Sequence, residues 1–376
     1  MAASALAEDG PYPILTSVPA TVLSGYVDTS AHWNPGSGHA NPAPYSFNAG
    51  KQDGFNLNAI DLDLEKDPET GGWSAAYEAE LLLGPDSAFV NGSPLGPVRQ
   101  AYVSLESPIG NGLIFQVGRW NDLTGYEETD NWKNPNYTHS YGWSIEPTEH
   151  TGILGGYVFK ESISAKFGVA DTWTTGPINA RALEGITLAT AQPAEGRETF
   201  VSILNLVVPT NRPYLGGSAW FVSVNKGYGS ITRDETYVSL GGALKTPLPA
   251  IKLGTDWDYS THFGVNGLDT GPAMAIDLYL LCQVSKGLEL NCRPEYVRGA
   301  GLGALSGAYN GAVTPLRKVF ALTGTLQYDL WRNVLSRLEV RWDHEADGAE
   351  SFGGNVLGRP DRRNETTLAV ELTYRF

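Results

Sequence analysis

The stretch that decides the fold is the last one, ETTLAVELTYRF at 365–376. Leu368, Val370, Leu372, Tyr374 and Phe376 fall on one face, and Thr367, Ala369, Glu371, Thr373 and Arg375 on the other. Successive side chains of a strand point to opposite faces, so this strand has one apolar side and one wet side. The same period of two recurs upstream. In 72–83 Trp73, Ala75, Tyr77, Ala79, Leu81 and Leu83 oppose Glu78 and Glu80; in 162–171 Ile163, Ala165, Phe167 and Val169 oppose Ser164 and Lys166. In 273–284 Met274, Ile276, Leu278 and Leu280 oppose Asp277 and Tyr279, and in 333–345 Leu338, Val340 and Trp342 oppose Arg337, Glu339, Arg341 and Asp343. No charged residue falls mid-strand on these apolar faces.

Read this way, the chain holds 16 candidate strands, at 20–30, 54–64, 72–83, 98–107, 112–120, 150–160, 162–171, 198–208, 217–226, 235–245, 249–259, 273–284, 287–298, 317–330, 333–345 and 365–376. A strand of ~11 residues at ~3.3 Å per residue is about 36 Å long. Tilted by ~45°, it covers the ~25 Å apolar band of an outer membrane. The connectors alternate. KDPETGG (65–71), SPIGN (107–111), SKG (285–287) and the link at Trp331 are short, whereas 31–53, 121–149, 172–197, 299–316 and 346–364 are long. Short turns on one side and long loops on the other mark a transmembrane barrel, and an even strand count puts both termini on the short-turn, periplasmic side. A sandwich strand is usually ~5–6 residues, shorter than these. A propeller would repeat every ~40–45 residues, and no such repeat is found.

Composition narrows the partners. The 376 residues carry 41 acids and 26 Lys plus Arg, a net charge of −15, which excludes a nucleic-acid binder that must displace counterions from phosphates. No stretch of ~18 apolar residues provides a transmembrane helix. The mean hydropathy of −0.21 reads as soluble, as it does for any barrel whose apolar residues alternate with polar ones. The tail 1–19 is expected to be periplasmic. Its Ala5-Leu6-Ala7 matches the end of a secretory signal without the preceding apolar core, and an ordinary Ala-rich tail remains the alternative. Residues 20–376 form the barrel on this reading.

Several stretches together resemble the β-barrel porin family with OmpL-like members: SGYVDTS with HWN after it (24–34), FNLNAIDLDLEKD (55–67), ELLLGPD (80–86), QVGRWNDLTGYE (116–127), NPNYTHSY (134–141) and EPTEHTGILGGY (146–157). They cover the first ~160 residues; the rest matches by strand pattern and the terminal Phe. The resemblance implies an outer-membrane porin and leaves its solute open. In general porins a long loop after the fifth strand narrows the bore, and the segment 121–149 occupies that position here.

A pore's chemistry is its lining. Candidate constriction residues in 121–149 are Tyr126, Glu127, Glu128, Asp130, Trp132 and Tyr137, and an extracellular flap is the alternative. Within that segment WSIEPTEH can form one helical turn capped by Ser144. Reading the alternation inward gives 14 acids against 6 bases, with Glu78, Glu80, Lys166, Arg293, Arg337, Glu339 and Arg341 as candidate pore-lining groups. A cleft of one sign concentrates counter-ions, so a mild cation preference is expected; cross-strand pairing that only stiffens the wall is the competing expectation. Outward Trp73, Trp331, Tyr374 and Phe376 near the turns, and Trp257 and Trp342 toward the loops, fit two interfacial girdles. Loop residues Trp33, Trp132, Trp143 and Trp173 are candidates for stacking on a solute.

Signals for chemistry are weak. The six His show no H-x-x-x-H pair, so no metal ligands are assigned. There is no G-x-S-x-G. The G-x-G-x-x-A match at 299–304 has no strand-to-helix context and reads as a loop. Cys282 and Cys292 are equally spaced about Gly287, which leaves open a disulfide or two lipid-facing thiols. The expectation is therefore an all-β, closed antiparallel transmembrane barrel. It works as an outer-membrane porin for passive diffusion of small hydrophilic solutes and ions, without enzymatic activity or cofactor. Its partners are membrane lipid and the solutes, with a homotrimer left open. A secreted carbohydrate-binding β protein, or a substrate-selective transporter or enzyme on the same barrel, are the alternatives.

Overall fold

The computed structural model describes residues 21–36, 43, 53–68, 72–90, 96–173, 182–183, 196–228, 234–261, 264–265, 268–269, 271–299, 318–354 and 359–376. The tail 1–19 with Ala5 to Ala7, nearly all of the G-x-G-x-x-A match, and much of the loops 31–53, 172–197 and 299–316 lie outside the described residues.

Sixteen strands close into one antiparallel barrel. They are β1 (Thr21–Trp33), β2 (Gly54–Lys66), β3 (Ser74–Leu83), β4 (Val98–Ser107), β5 (Leu113–Asn121), β6 (Glu149–Lys160), β7 (Ile163–Ala170) and β8 (Thr199–Val207). β9 (Ala219–Tyr228), β10 (Asp234–Lys245), β11 (Ile251–Ser260), β12 (Ala273–Ser285), β13 (Leu288–Gly299), β14 (Lys318–Trp331), β15 (Val334–Glu345) and β16 (Asn364–Arg375) complete it. Each strand pairs with its neighbours in sequence, and β1 closes the ring on β16 from Tyr26↔Arg375 to Trp33↔Leu368. Closure leaves no strand edge, which is the condition for placing a sheet in lipid. The strands coincide with those expected from the alternation. Unforeseen are a short helix α1 (Pro85–Val90) after β3 and two-residue hairpins outside the barrel at Ala182–Leu183 with Gly196–Arg197 and at Gly264–Val265 with Leu268–Asp269.

The polarity is inside-out. On β15, Leu338, Val340 and Trp342 are 53 %, 48 % and 41 % exposed, whereas Arg337, Glu339 and Arg341 between them are 2 %, 1 % and 0 % exposed. The greasy stripe faces outward, and among the described residues no further layer packs upon it, which removes the soluble sandwich reading. Trp73, Trp331, Tyr374 and Phe376 project from the short-turn end.

The β12–β13 hairpin settles the cysteines. Gly287 takes φ +80° in the tight turn, and a register shift follows between Gln283 and Ser285. Cys282 therefore faces Leu290 and Cys292 faces Leu280, two positions out of step with symmetry about Gly287. Both cysteines are free thiols on the outward parity of their strands.

Candidate functional site

The segment between β5 and β6 turns into the bore, because the strands present charge to it all the way round. Leaving β5, Asp122 accepts from Asn225 of β9 (2.7 Å) and pairs with His150 of β6 (2.6 Å). The Tyr126 amide donates to Asp256 of β11 (2.5 Å), and Tyr126 stacks on Tyr279 of β12 at 4.2 Å. Glu127 meets Arg293 of β13 at 2.6 Å and accepts from Tyr279 Oη. Asp130 reaches the far wall, 2.5 Å from Arg99 of β4 and 3.0 Å from Tyr26 Oη of β1. The chain then returns along β15 and β13. Arg337 donates to the carbonyls of Asn131, Trp132 and Asn134; the amides of Tyr137 and Thr138 donate to Glu339; Arg293 and Arg341 donate to the carbonyl of His139.

At the end of this course lies α2 (Tyr141–Ile145). The cap is Ser140, whose side chain accepts from the Trp143 amide, not Ser144, which lies inside the helix with its hydroxyl bonded back to the Ser140 carbonyl. The expected turn is thus displaced toward the N-terminus, since Ser140 is the last extended residue before it. Tyr141 and Ile145 bed onto small inward residues, Ala273 and Ala275 of β12, Val297 of β13, and Val319 and Ala321 of β14, together with Trp173 and Phe352. The lumen therefore carries a small apolar core of its own on this flank. Trp143 stacks on His139 at 3.9 Å and, like Trp173, is buried, so neither is a stacking platform for a solute.

Burial revises several roles. Of the candidate constriction residues, Glu127, Asp130 and Tyr137 are buried in contacts with the wall, while Tyr126 and Trp132 are half-buried and Glu128 is exposed. Burial alone would raise the Glu127 carboxyl. Arg293, then His139 and the Ser140 amide, outweigh it and bring it down to about 2. Asp130 is likewise held well below its ordinary range against the cost of burial, by Arg99 and Lys133. Of the candidate lining residues, Arg293, Arg337, Glu339 and Arg341 lie beneath the segment, bonded to it, and do not face open water. The expected basic ladder is covered because its guanidiniums are the donors that the segment's carbonyls and acids need. Glu80 is buried against Arg99 at 2.6 Å. Glu78 and Lys166 retain solvent contact.

Arg99 and Arg119 had no place among the candidates. Arg99 ties the segment to β3 and β4, and Arg119 meets Glu149 at 3.6 Å. Continuing the period of two through VRQAYVSLES and LIFQVGRWN puts both on the outward parity of Val103, Leu105, Phe115 and Val117, so alternation alone hides them; a register shift between Glu80 and Leu81 falls beside Arg99. Beside Arg99 opens a cavity of about 250 Å³ reaching toward the terminal Phe376, with Asp63, Glu78, Lys133 and Arg375 in its lining.

The chain is similar in structure to an anion-selective porin from Comamonas acidovorans (14 % identity, 95 % of this chain and 99 % of that one, TM-score 0.63). It is also similar to OmpF of Salmonella typhi in complex with daunomycin (10 %, 95 % and 97 %, TM-score 0.60) and to OmpT of Vibrio cholerae in a trimer form (10 %, 95 % and 99 %, TM-score 0.55). At these identities the likeness establishes the barrel. No match was found among curated proteins. The family described as "Putative beta-barrel porin-2, OmpL-like" matches residues 21–376. With a closed 16-stranded ring, an apolar exterior and a charged interior, the chain belongs to that family and is an outer-membrane porin.

Proposed function

We propose that this porin passes small hydrophilic solutes and ions by passive diffusion through the water lane that the inward segment leaves open, with a mild preference for cations. The observation that carries the reading is the distribution of uncompensated charge. Arg99 and Lys133 are committed to Glu80 and Asp130. Asp63 and Glu78 then face the lane with no salt bridge among the described residues, against Arg375, whose guanidinium lies over the Trp132 ring at 4.9 Å. A water-filled slot of one sign concentrates the opposite ion. Glu127 and Asp130 serve as anchors in this scheme, so selectivity moves from the segment to β2 and β3. Diffusion makes and breaks no bond. Assembly as a homotrimer belongs to the same proposal, supported by the neighbour described in trimer form, and light scattering of the detergent complex reads it.

The test is a planar bilayer under a KCl gradient. Stepwise ohmic conductance with a zero-current potential of cation sign is expected, reduced toward zero by Asp63→Asn with Glu78→Gln. A potential of anion sign in the unaltered protein, as the name of the Comamonas porin would suggest for that channel, overturns the cation preference.

A further inference from the structure

Where α2 ends, three carboxylates meet and a fourth lies beside one of them, and among the described residues no Lys or Arg is paired with any of the four. Glu146 follows α2 directly, and Glu146, Asp256 and Asp258 each bring an oxygen within 4.8 Å of the others. Asp277 joins them from the next strand, since the β11–β12 register sets it opposite Asp256 on the same inward face. Asp258 and Asp277 are wholly inaccessible, and Asp258 Oδ2 and both oxygens of Asp277 have no hydrogen-bond partner among the described residues. Asp258 Oδ2 and Asp277 Oδ2 converge at Gly142. A Cβ built on Gly142 would overlap both Asp258 Oδ2 and Asp277 Oδ2, so the glycine leaves the room in which the two carboxylates meet.

A second acidic cluster shows what is missing here. Asp61, Glu80 and Asp130 also converge, but Arg99 sits among them at 2.6 and 2.5 Å from Glu80 and Asp130. Among the described residues no Lys or Arg forms a salt bridge to Glu146, Asp256, Asp258 or Asp277. Buried charge is retained only when it is paired or coordinates a metal. We propose that Glu146, Asp256, Asp258 and Asp277 form a divalent-cation site, for Ca²⁺ by preference, that rivets the end of the inward segment to β11 and β12. Ca²⁺ accepts six to eight oxygens in irregular geometry, which suits ligands from two strands and one loop, whereas Mg²⁺ demands a near-ideal octahedron. The remaining valences are arranged around it: Asp256 accepts from Ser239 and the Tyr126 amide, and Asp258 from the Tyr237 hydroxyl. The site departs from the sequence expectation of no metal ligands because its four carboxylates come from three separate stretches with no common spacing.

The test uses the full chain folded in detergent and stripped with chelator, titrated with Tb³⁺ under tyrosine excitation. Tyr237, bonded to Asp258, is the expected sensitiser. Saturable emission at one equivalent, displaced by Ca²⁺, is expected. Asp277→Asn should weaken binding at least tenfold, and Asp61→Asn, in the cluster that holds Arg99, should leave it unchanged. Should Asp277→Asn fail to fold, Gly142→Ala fills the same room without removing a charge and should also weaken binding at least tenfold. Absence of sensitised emission from protein that migrates as a folded barrel, or binding that survives both substitutions in folded protein, overturns the site. If such protein still conducts, the site falls and the diffusion reading stands.

Discussion

Single residues decide whether the bore is open. The Arg293–Glu127 pair is wholly buried, and each partner is bonded beyond the other: Arg293 to Glu295 and to the Thr138 and His139 carbonyls, Glu127 to the Ser140 amide. Removing one partner leaves the other as an unpaired buried charge, at a cost of about 3–5 kcal/mol. Glu127→Gln is therefore expected to loosen the segment without unfolding the barrel, read as protease cleavage between 122 and 148 and as added noise on the open-channel current. The carboxyl also fixes a pH dependence. Its value in the folded protein lies below the ordinary one, so its stabilisation is fully present above about 4.5 and is lost as pH falls toward about 2. Open-channel noise is expected to stay at its pH 7 level down to pH 5 and to rise only in stronger acid; a rise in noise already complete at pH 6 would place the anchor elsewhere.

At the scale of elements, register offers a direct check. Cys282 lies opposite Leu290, and directly opposed strand residues sit at Cα separations that a disulfide spans. Leu290→Cys is expected to cross-link to Cys282 under mild oxidant, seen as a mobility change on a denaturing gel, while the native Cys282 and Cys292 stay unlinked. The strands themselves were legible in sequence because a period of two needs only near neighbours: ETTLAVELTYRF declares both its faces without reference to any other part of the chain. The course of the inward segment was not legible. Its ties join Glu127 to Arg293 and Tyr141 to Asp343, residues far apart in sequence and adjacent only after closure. Counting inward charges therefore overstated the lining, since it could not tell Arg341, covered, from Lys166, open to solvent. The cysteine register escaped for a local reason: a bulge beside a two-residue turn shifts every pairing above it.

For the molecule as a whole, the outer wall answers to lipid. Val340 stands midway along β15 on the outward face. Val340→Arg is expected to destabilise the barrel in liposomes by about 2–4 kcal/mol, the cost of a cation at the bilayer midplane. Lumen-facing Lys166→Gln should change stability by less than about 0.5 kcal/mol, as for a surface site. Urea-induced loss of the heat-sensitive band shift measures both. A loss from Val340→Arg no larger than that from Lys166→Gln would overturn the placing of Val340 against lipid.

The nest of Tyr141, Ile145, Ala273, Ala275, Val297 and Val319 makes the tube lopsided. One flank is upholstered, and a bulky replacement there must displace a neighbour. The opposite flank, near Asp63 and Glu78, borders open solvent and tolerates new side chains. Tailoring which cargo gets through thus falls to the bare flank, while the padded flank keeps the tube from collapsing into a different shape.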